Sequence, residues 1–195
     1  MHSYSIDTSE RIKIIAYLAI ISVSLSMLIS KIEFPFASKI QAPSTMVLFS
    51  GLYFLFNSYA WKWKLFSFIV KTPDLSGTWE GEYQSSYICE DTKKPYKGKV
   101  NFIIEQTWTK IRIISENGKS VSCSEVAGVA INDNMGVVLR YQYKNEPKFN
   151  NVKSMNCHIG FNKLRYIEEK QRLEGDYFND KHRGTYGVLW YEKVS

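Results

Sequence analysis

The chain contains few of the residues on which metal and disulfide chemistry depend. Its 195 residues include three cysteines and three histidines. The odd number and wide spacing of the cysteines predict neither a disulfide framework nor a zinc site, and free thiols are typical of a reducing cytoplasm. The cysteines are Cys89, Cys123 and Cys157. We therefore expect no bound metal.

Catalytic sequence motifs are also missing. The chain has no Gly-x-Ser-x-Gly elbow, no glycine-rich phosphate loop and no His-Glu-x-x-His pair. Two pairs of neighbouring carboxylates, Glu80 with Glu82 and Glu168 with Glu169, are more typical of solvated surface than of acid–base catalysis. We expect no enzymatic activity and no cofactor.

Basic residues are in excess, but they are unevenly distributed. The formal net charge is +6. Residues 1–71 hold seven basic and three acidic side chains, whereas residues 72–195 hold eighteen and sixteen. Most of the excess therefore flanks apolar segments, where the orientation of a chain in a lipid bilayer accounts for it. We expect no binding to duplex nucleic acid.

Two long apolar segments lie in the first third of the chain, at about 12–30 and 43–61. At 1.5 Å per residue, each is long enough to cross a hydrocarbon core of ~30 Å. A cleaved signal peptide is the alternative for the first segment, but that segment is longer than an ordinary signal core and a second one follows. We predict two transmembrane helices. Basic residues before the first and after the second place both termini in the cytoplasm.

Polar residues within these segments favour association between helices. Ser22, Ser26 and Ser30 share one helical face, and small residues there let another helix approach closely. Asn57, in the second segment, requires a hydrogen-bond partner that lipid cannot supply. The predicted contact is either between the two helices of one chain or between helices of different chains.

From Pro73 onward, short segments rich in Tyr, Val, Ile, Thr and Trp alternate with clusters of Asn, Asp and Gly, as in strands and turns. Alternation within them predicts one buried and one solvated face. We predict an all-β domain over 72–195, an eight-stranded antiparallel β-barrel that is lipocalin-like in shape and closed by pairing of its glycine-rich first and last strands. The predicted strands lie near 77–87, 97–107, 109–116, 121–131, 135–144, 155–166, 171–178 and 184–193.

Aromatic residues with polar atoms lie at inward positions of the predicted strands. These are Trp79, Tyr83, Tyr141, Tyr143 and Tyr177. For any one tyrosine, core packing with a bonded hydroxyl is the ordinary role. Several of them converging with Asn145, His158 or Arg183 at a barrel mouth would form a pocket suited to a nucleobase and a phosphate. Arg112 and Arg140 are weaker candidates, because their strand neighbours place them on the solvated face.

Several blocks of sequence behind the two-helix segment resemble a known family. The blocks, in order, are residues 75–81 (LSGTWEG), 141–147 (YQYKNEP), 158–160 (HIG), 173–178 (LEGDYF), 183–184 (RG) and Gly187. Together they resemble the two-transmembrane, β-strand-rich effectors of bacterial anti-phage systems that signal with cyclic oligonucleotides, the CBASS systems. The similarity covers nearly the whole chain and lies in the order of the blocks.

The resemblance implies a receptor in the bacterial inner membrane. In that family a nucleotidyltransferase that senses infection makes a cyclic nucleotide, the barrel binds it, and the membrane helices assemble and breach the membrane, which kills the infected cell. The implied partners are a cyclic dinucleotide or oligonucleotide, the lipid bilayer and further copies of the chain. Some relatives are instead held inactive by their nucleotide, so the resemblance leaves the direction of control open.

Under this interpretation aromatic rings stack on bases, Asn145 bonds the edge of a base and Arg183 pairs with a phosphate. The predicted ligand-binding residues are Trp79, Tyr83, Tyr141, Tyr143, Asn145, Tyr177 and Arg183. Two other functions remain open. One is a membrane-tethered carrier with an apolar cavity for a small hydrophobic ligand, and the other is a scaffold with a solid barrel.

Overall fold

The computed structural model describes residues 1–31, 43–90, 92–149 and 157–194. The segment between the two apolar segments lies at 32–42, outside the described residues, as do the first two residues of the strand predicted near 155–166. The helices are α1 (Glu10–Ile29) and α2 (Thr45–Ser58). The strands are β1 (His2–Ile6), β2 (Gly77–Ile88), β3 (Pro95–Gln106), β4 (Lys110–Glu116), β5 (Ser120–Asp133), β6 (Gly136–Pro147), β7 (His158–Ile167), β8 (Arg172–Asn179) and β9 (Tyr186–Lys193).

The chain divides into two compact units. One unit contains the helices and spans Thr8–Lys71. The other contains all the described strands and consists of Met1–Asp7 together with Thr72–Ser195. The sequence predicts a membrane anchor over residues 1–71, whereas residues 1–7 belong to the β-unit, and the helical unit is an insertion within it.

Helix α1 is long and apolar enough to cross a membrane by length and composition. It has 20 residues, which correspond to about 30 Å of helix. Its apolar side chains are widely exposed in the isolated chain; Ile12 is 76% exposed and Met27 is 62% exposed. Among the described residues α1 alone meets this length criterion.

Helix α2 is shorter than the spanning helix predicted at 43–61. It has 14 residues, about 21 Å. It begins after Ser44, whose Oγ accepts a hydrogen bond from the Val47 N–H at 3.4 Å. It ends at Tyr59, whose backbone leaves the helical region (φ −133°), and the chain then forms a 3₁₀ turn at Ala60–Lys62. The predicted helix is therefore wrong at its C-terminal end, because Trp61 is buried in this turn instead of extending the helix.

The predicted serine face of α1 is only partly buried. Ser22 is fully buried, and its hydroxyl donates to the Leu18 carbonyl oxygen at 2.6 Å. Ser30 is exposed. Since α1 and α2 contact each other, the buried part of this face is consistent with packing inside one chain, and contact between chains stays a prediction.

The described strands form one closed barrel. Strands β2 to β9 follow one another as antiparallel neighbours, except that β1 lies between parts of β4 and β5. Strand β9 returns to pair with β2, from Trp79 opposite Lys193 to Ser85 opposite Gly187. The predicted closure by the first and last glycine-rich strands is confirmed.

The predicted count of eight strands is wrong by one, because β1 joins the barrel. Strands β4 and β5 pair directly only at 114–116 with 121–123. Beyond those residues β1 lies between them, with His2 and Ser3 antiparallel to β4 and Tyr4–Ile6 parallel to β5. Five residues before a long apolar helix are too few for alternation to reveal a strand.

One end of the barrel is filled by apolar side chains. The fully buried residues there are Trp79, Phe102, Ile104, Ile113, Leu139, Leu164 and Leu173. The ring of Phe102 stacks on Tyr191 with centroids 4.7 Å apart. Burial of this kind contributes ~1.5–3 kcal/mol for each large apolar side chain.

A buried amide closes this end of the barrel. Gln106 Oε1 accepts from the Leu75 N–H at 2.8 Å, and its Nε2 donates to the Pro73 carbonyl at 3.1 Å and to the Tyr4 hydroxyl at 3.3 Å. The Tyr4 hydroxyl donates in turn to the Trp108 carbonyl at 2.9 Å. Gln106 thus ties β1 to the segment that leads into β2, the two places where the β-unit connects to the helical unit.

Candidate functional site

The opposite end of the barrel encloses a cavity of about 410 Å³. In an antiparallel meander the end of one strand lies beside the start of the next, so residues far apart in sequence meet there. The lining comes from the end of β2 and the start of β3, the β4–β5 hairpin, the end of β6 and the start of β7, and the β8–β9 connection. The volume lies within the ~300–1,000 Å³ usual for small-molecule sites.

Five of the seven predicted ligand-binding residues line this cavity. They are Tyr83, Tyr141, Asn145, Tyr177 and Arg183. His158, predicted as a possible neighbour at the mouth, also lines it. The structure therefore brings together residues from β2, β6, β7, β8 and the turn before β9.

The other two predicted residues, Trp79 and Tyr143, are not among the lining residues. Trp79 is fully buried at the filled end, and its indole N–H donates to the Leu75 carbonyl at 3.1 Å. Tyr143 contacts a residue that lines the cavity: its hydroxyl donates a hydrogen bond to Oδ1 of Asn179 at 2.9 Å. Alternation predicts which way a side chain faces but not its height along the barrel axis.

Three of the tyrosines lie against a glycine directly opposite on the neighbouring strand. The pairs are Tyr83 with Gly98, Tyr143 with Gly160, and Tyr177 with Gly187. A Cβ atom at Gly98 would lie 2.7 Å from Cε1 of Tyr83, well inside the ~3.5–4.0 Å of ordinary carbon contact. The glycines therefore allow the rings to lie against the barrel wall.

Burial favours the neutral form of three tyrosines in or beside this cavity. It raises the pKa of Tyr83, of Tyr143 and of the fully buried Tyr141, since the anion is poorly solvated there. A neutral phenol both donates and accepts hydrogen bonds. The site thus presents hydroxyl groups, not phenolate charge, to a ligand.

The charge at the mouth is positive. The lining residues include Lys119 and Arg183, whose side chains are exposed, and the described lining residues include no carboxylate. Lys119 Nζ lies 5.9 Å from the ring centroid of Tyr96, which also lines the cavity. Such a mouth favours an anion. In the described ranges no group of three or more His, Cys, Asp and Glu side chains could hold a metal ion.

Several lining amides were not named in the sequence analysis. They include Asn117, Asn162 and Asn179. Asn162 is 5% exposed, and its Nδ2 donates to the Tyr141 hydroxyl at 2.5 Å. Its signal was available in the sequence, because Asn162 alternates with Gly160 and Leu164 on the inward face of β7.

The weaker candidates Arg112 and Arg140 lie away from this cavity. Arg112 donates through Nε and Nη2 to the Glu105 carboxylate, both at 2.8 Å. Arg140 pairs with Asp133. Each arginine therefore has a carboxylate partner on its own part of the barrel.

Comparison with known proteins adds an independent line of argument. A family model described as "Cap15, cyclic dinucleotide receptor domain" matches residues 70–193. A protein of Yersinia aleksiciae named "CD-NTase-associated protein 15" is 27% identical over 147 residues, which is 75% of this chain and 68% of that protein. Because the family model covers more than half of the chain and every strand from β2 to β9, this chain belongs to the Cap15 family of CBASS effectors that its sequence blocks resemble.

Proposed function

We propose that this chain is an anti-phage effector whose barrel binds a cyclic dinucleotide. The observation that carries the proposal is the cavity, lined by tyrosine hydroxyls and asparagine amides and bordered by two cations, Lys119 and Arg183. This cavity lies within the residues that match a cyclic dinucleotide receptor family. The role proposed is binding without catalysis.

The lining offers a partner for each part of such a ligand. Tyr83 and Tyr177 provide planes on which bases stack, a contact that alanine substitution weakens by ~1–3 kcal/mol per base. Arg183 pairs with a phosphate at the mouth, and Asn145 bonds the edge of a base. Tyr143 acts through Asn179, and Trp79 supports the filled end of the barrel beneath the site.

The two other functions that the sequence leaves open fit the lining less well. A carrier of small hydrophobic molecules needs an apolar cavity, whereas this one presents hydroxyls, amides and cations. A scaffold with a solid barrel needs no cavity. Both therefore account for less of the site than an anionic, base-containing ligand does.

Calorimetry on the full-length protein in detergent tests the proposal. The probes are cyclic di-AMP, cyclic di-GMP and cyclic GMP–AMP. We expect at least one to bind, and we expect Arg183→Gln to weaken that binding by ~10-fold or more through loss of a charge-assisted hydrogen bond. Arg112→Gln, on the outer surface, is the matched control and should bind as the wild type does. Absence of binding to all three probes would contradict the proposal.

We also propose that the helical unit crosses the bacterial inner membrane twice, with both termini in the cytoplasm. Helix α1 supplies one crossing. Because β1 and the remaining strands belong to one folded unit, the chain must enter and leave the helical unit on the same side, so the number of crossings is even. Helix α2 is about 9 Å shorter than a ~30 Å hydrocarbon core. Local thinning of the bilayer and the flanking Lys62 and Lys64 accommodate such a mismatch.

Ligand binding is proposed to control assembly of several chains and disruption of the membrane. A ligand shifts such an equilibrium only if it binds one assembly state more tightly than the other. Release of a trapped dye from liposomes that contain the full-length protein is the assay, with cyclic dinucleotide added or withdrawn. Leakage on either change supports the proposal and defines the direction of control. Unchanged leakage in both would contradict it.

Asn57→Leu should reduce crosslinked oligomers if the contact lies between chains.

A further inference from the structure

Two cations lie on opposite sides of the cavity mouth. The closed order of the strands places four connections around this end of the barrel, in the order β4–β5, β2–β3, β8–β9 and β6–β7. The β4–β5 hairpin carries Lys119, and the β8–β9 connection carries Arg183. In a ring of four connections the first and the third face each other. Lys119 and Arg183 both line the cavity that these connections surround.

Both cations lie beside tyrosines of the cavity wall. Lys119 Nζ is 5.9 Å from the ring centroid of Tyr96, and that centroid is 6.0 Å from the ring centroid of Tyr83. Burial raises the pKa of Tyr83 and of Tyr177, and the positive charge of Arg183 opposes part of that rise. Such an effect weakens with distance, so Arg183 lies close to both hydroxyls. The two cations therefore reach the mouth from two sides of the β2–β3 wall.

The backbone that carries each cation is fixed by a side-chain acceptor. Oδ1 of Asn117 accepts a hydrogen bond from the Lys119 N–H at 2.8 Å. Oδ1 of Asp180 accepts from the Arg183 N–H at 3.2 Å, and its Oδ2 accepts from the Ile159 N–H at 2.9 Å. These contacts within the protein hold both turns in place, so a ligand need not order them and loses less binding free energy.

Neither cation is neutralised by a carboxylate. Within residues 1–31, 43–90, 92–149 and 157–194, the side chains of Lys119 and Arg183 form no ion pair. The described lining residues of the cavity also include no Asp or Glu. Each side of the mouth thus offers one basic side chain that favours an anion of its own.

The distribution of charge in a cyclic dinucleotide matches this arrangement. Its two phosphates lie at opposite corners of one ring, with the sugars and bases between them. A single cation accounts for only one of these phosphates. We propose that Lys119 binds the second phosphate of the ligand, opposite the phosphate that pairs with Arg183, so that the mouth selects a ligand with two phosphates in one ring. This assignment rests on the proposed receptor function.

A double-mutant cycle tests whether the two cations bind different phosphates. Calorimetry on the full-length protein in detergent, at one ionic strength, uses whichever of cyclic di-AMP, cyclic di-GMP and cyclic GMP–AMP binds the wild type most tightly. Lys119→Met and Arg183→Gln should each weaken binding by ~10-fold, through loss of a charge-assisted hydrogen bond. The double variant should bind ~100-fold more weakly than the wild type, because contacts with separate phosphates are independent.

A ligand with one phosphate tests the selection. The cyclic mononucleotide of a base present in that dinucleotide, cyclic AMP or cyclic GMP, leaves one of the two cations without a phosphate. It should therefore bind the wild type at least ~10-fold more weakly than the cyclic dinucleotide does.

Lys97→Met is the matched control for a loss of charge near the mouth. Lys97 is exposed on β3 between the lining residues Tyr96 and Gly98, but it is not itself among the lining residues. Its substitution removes the same charge without a ligand contact, so affinity should change by less than ~2-fold. Because the side chains of Lys97, Lys119 and Arg183 are all exposed, thermal unfolding midpoints should stay at the wild-type value.

Four results would overturn the assignment while the receptor function stands. They are wild-type affinity in Lys119→Met, a double variant no weaker than Arg183→Gln, an equal loss of affinity in Lys97→Met, and a cyclic mononucleotide that binds as tightly as the dinucleotide. A wild type that binds none of the three cyclic dinucleotides would overturn both the assignment and the receptor function.

Discussion

Substitution of Gly98 by alanine should close part of the cavity without removing any group that contacts a ligand. The added Cβ would lie 2.7 Å from Cε1 of Tyr83 and 2.8 Å from its Cζ and hydroxyl oxygen. No backbone atom is among these nearest neighbours. Since carbon atoms pack at ~3.5–4.0 Å, the ring must move by about 1 Å. The barrel wall lies behind the added methyl group, so the ring must move away from Gly98.

The expected effects on stability and on binding are of similar size, so both are measured. Overpacking of this kind costs ~1–3 kcal/mol, whereas alanine in place of glycine in a strand recovers ~0.5–1 kcal/mol. The free energy of unfolding should therefore fall by no more than ~2.5 kcal/mol. Displacement of the ring in a fitted pocket should weaken ligand binding by ~10–200-fold, the range measured for one misplaced methylene group.

A double-mutant cycle with Tyr83→Ala measures whether Gly98 acts through this ring. In the Tyr83→Ala background the added methyl group meets no ring, so Gly98→Ala should be neutral or stabilising by ~0.5–1 kcal/mol. Denaturant unfolding of the four proteins gives the coupling. An equal loss of stability in both backgrounds would refute the reasoning, as would wild-type ligand affinity in the single Gly98→Ala variant.

Two other glycines provide contrasting controls. At Gly51, in α2, a Cβ atom meets nothing within 4 Å, so Gly51→Ala should not change ligand affinity. At Gly187 the Cβ atom would overlap the Gln84 backbone carbonyl as well as the Tyr177 ring. Gly187→Ala should therefore disrupt the β2–β9 pairing and the fold itself. The comparison separates a glycine that shapes the cavity from one that permits strand pairing.

Three further substitutions test stability. The first removes the Gln106 amide at the closed end of the barrel, and the other two test how stability depends on pH. Gln106→Leu leaves a buried backbone N–H and C=O unbonded before β2, so denaturant unfolding should show a loss of ~2–4 kcal/mol, against less than ~0.5 for the surface control Gln142→Leu. Burial raises the pKa of Asp7, but hydrogen bonds from two β5 N–H groups outweigh it and hold that pKa below 3.8. The wild type should therefore be more stable than Asp7→Asn above pH 3.8. This advantage should vanish as the pH falls through the pKa of Asp7 in the folded protein. Burial raises the pKa of Tyr143 above 10.0, so this tyrosine ionises in the unfolded chain before it ionises in the folded one. The free energy of unfolding should therefore fall as the pH rises beyond 10.0. It should fall less in Tyr143→Phe, which has no hydroxyl to ionise. Thermal unfolding midpoints of the wild type and each variant, measured across both pH ranges, check the Asp7 and Tyr143 predictions. A difference between wild type and variant that does not change with pH would contradict them.

Local patterns predicted most of the strands and their inward faces. Val100, Phe102 and Ile104 are buried as their alternation predicts, whereas the exposed Asn101 and the half-buried Glu105 lie on the opposite face of β3. Each of these assignments depends only on the two-residue period of an extended chain. Closure by the first and last strands was also predictable, because unpaired edges are unfavourable and both strands carry the glycines that a close approach requires.

Features that depend on distant strands were not predictable in this way. Strand β1 has a place in the barrel because β4 and β5 separate beyond residues 114 and 123, and no pattern within residues 2–6 indicates that gap. The end of α2 was missed because the composition of residues 59–61 suits a longer helix. In the structure Trp61 is instead buried in a 3₁₀ turn. Both are outcomes of tertiary packing that override local preference.

For the cavity, the sequence by itself determined which strand side chains face inward and which residue types they are, since side-chain direction follows from the local backbone. It therefore identified Tyr83, Tyr141, Asn145 and Tyr177, which line the cavity. Tertiary structure alone decided how high each side chain lies along the barrel axis, which separates Trp79 in the filled end from Tyr83 at the cavity. It also decided that Asn162 meets the Tyr141 hydroxyl. The physical reason is that the height of a side chain and its partners depend on the register between strands, and that register is set only when the barrel closes.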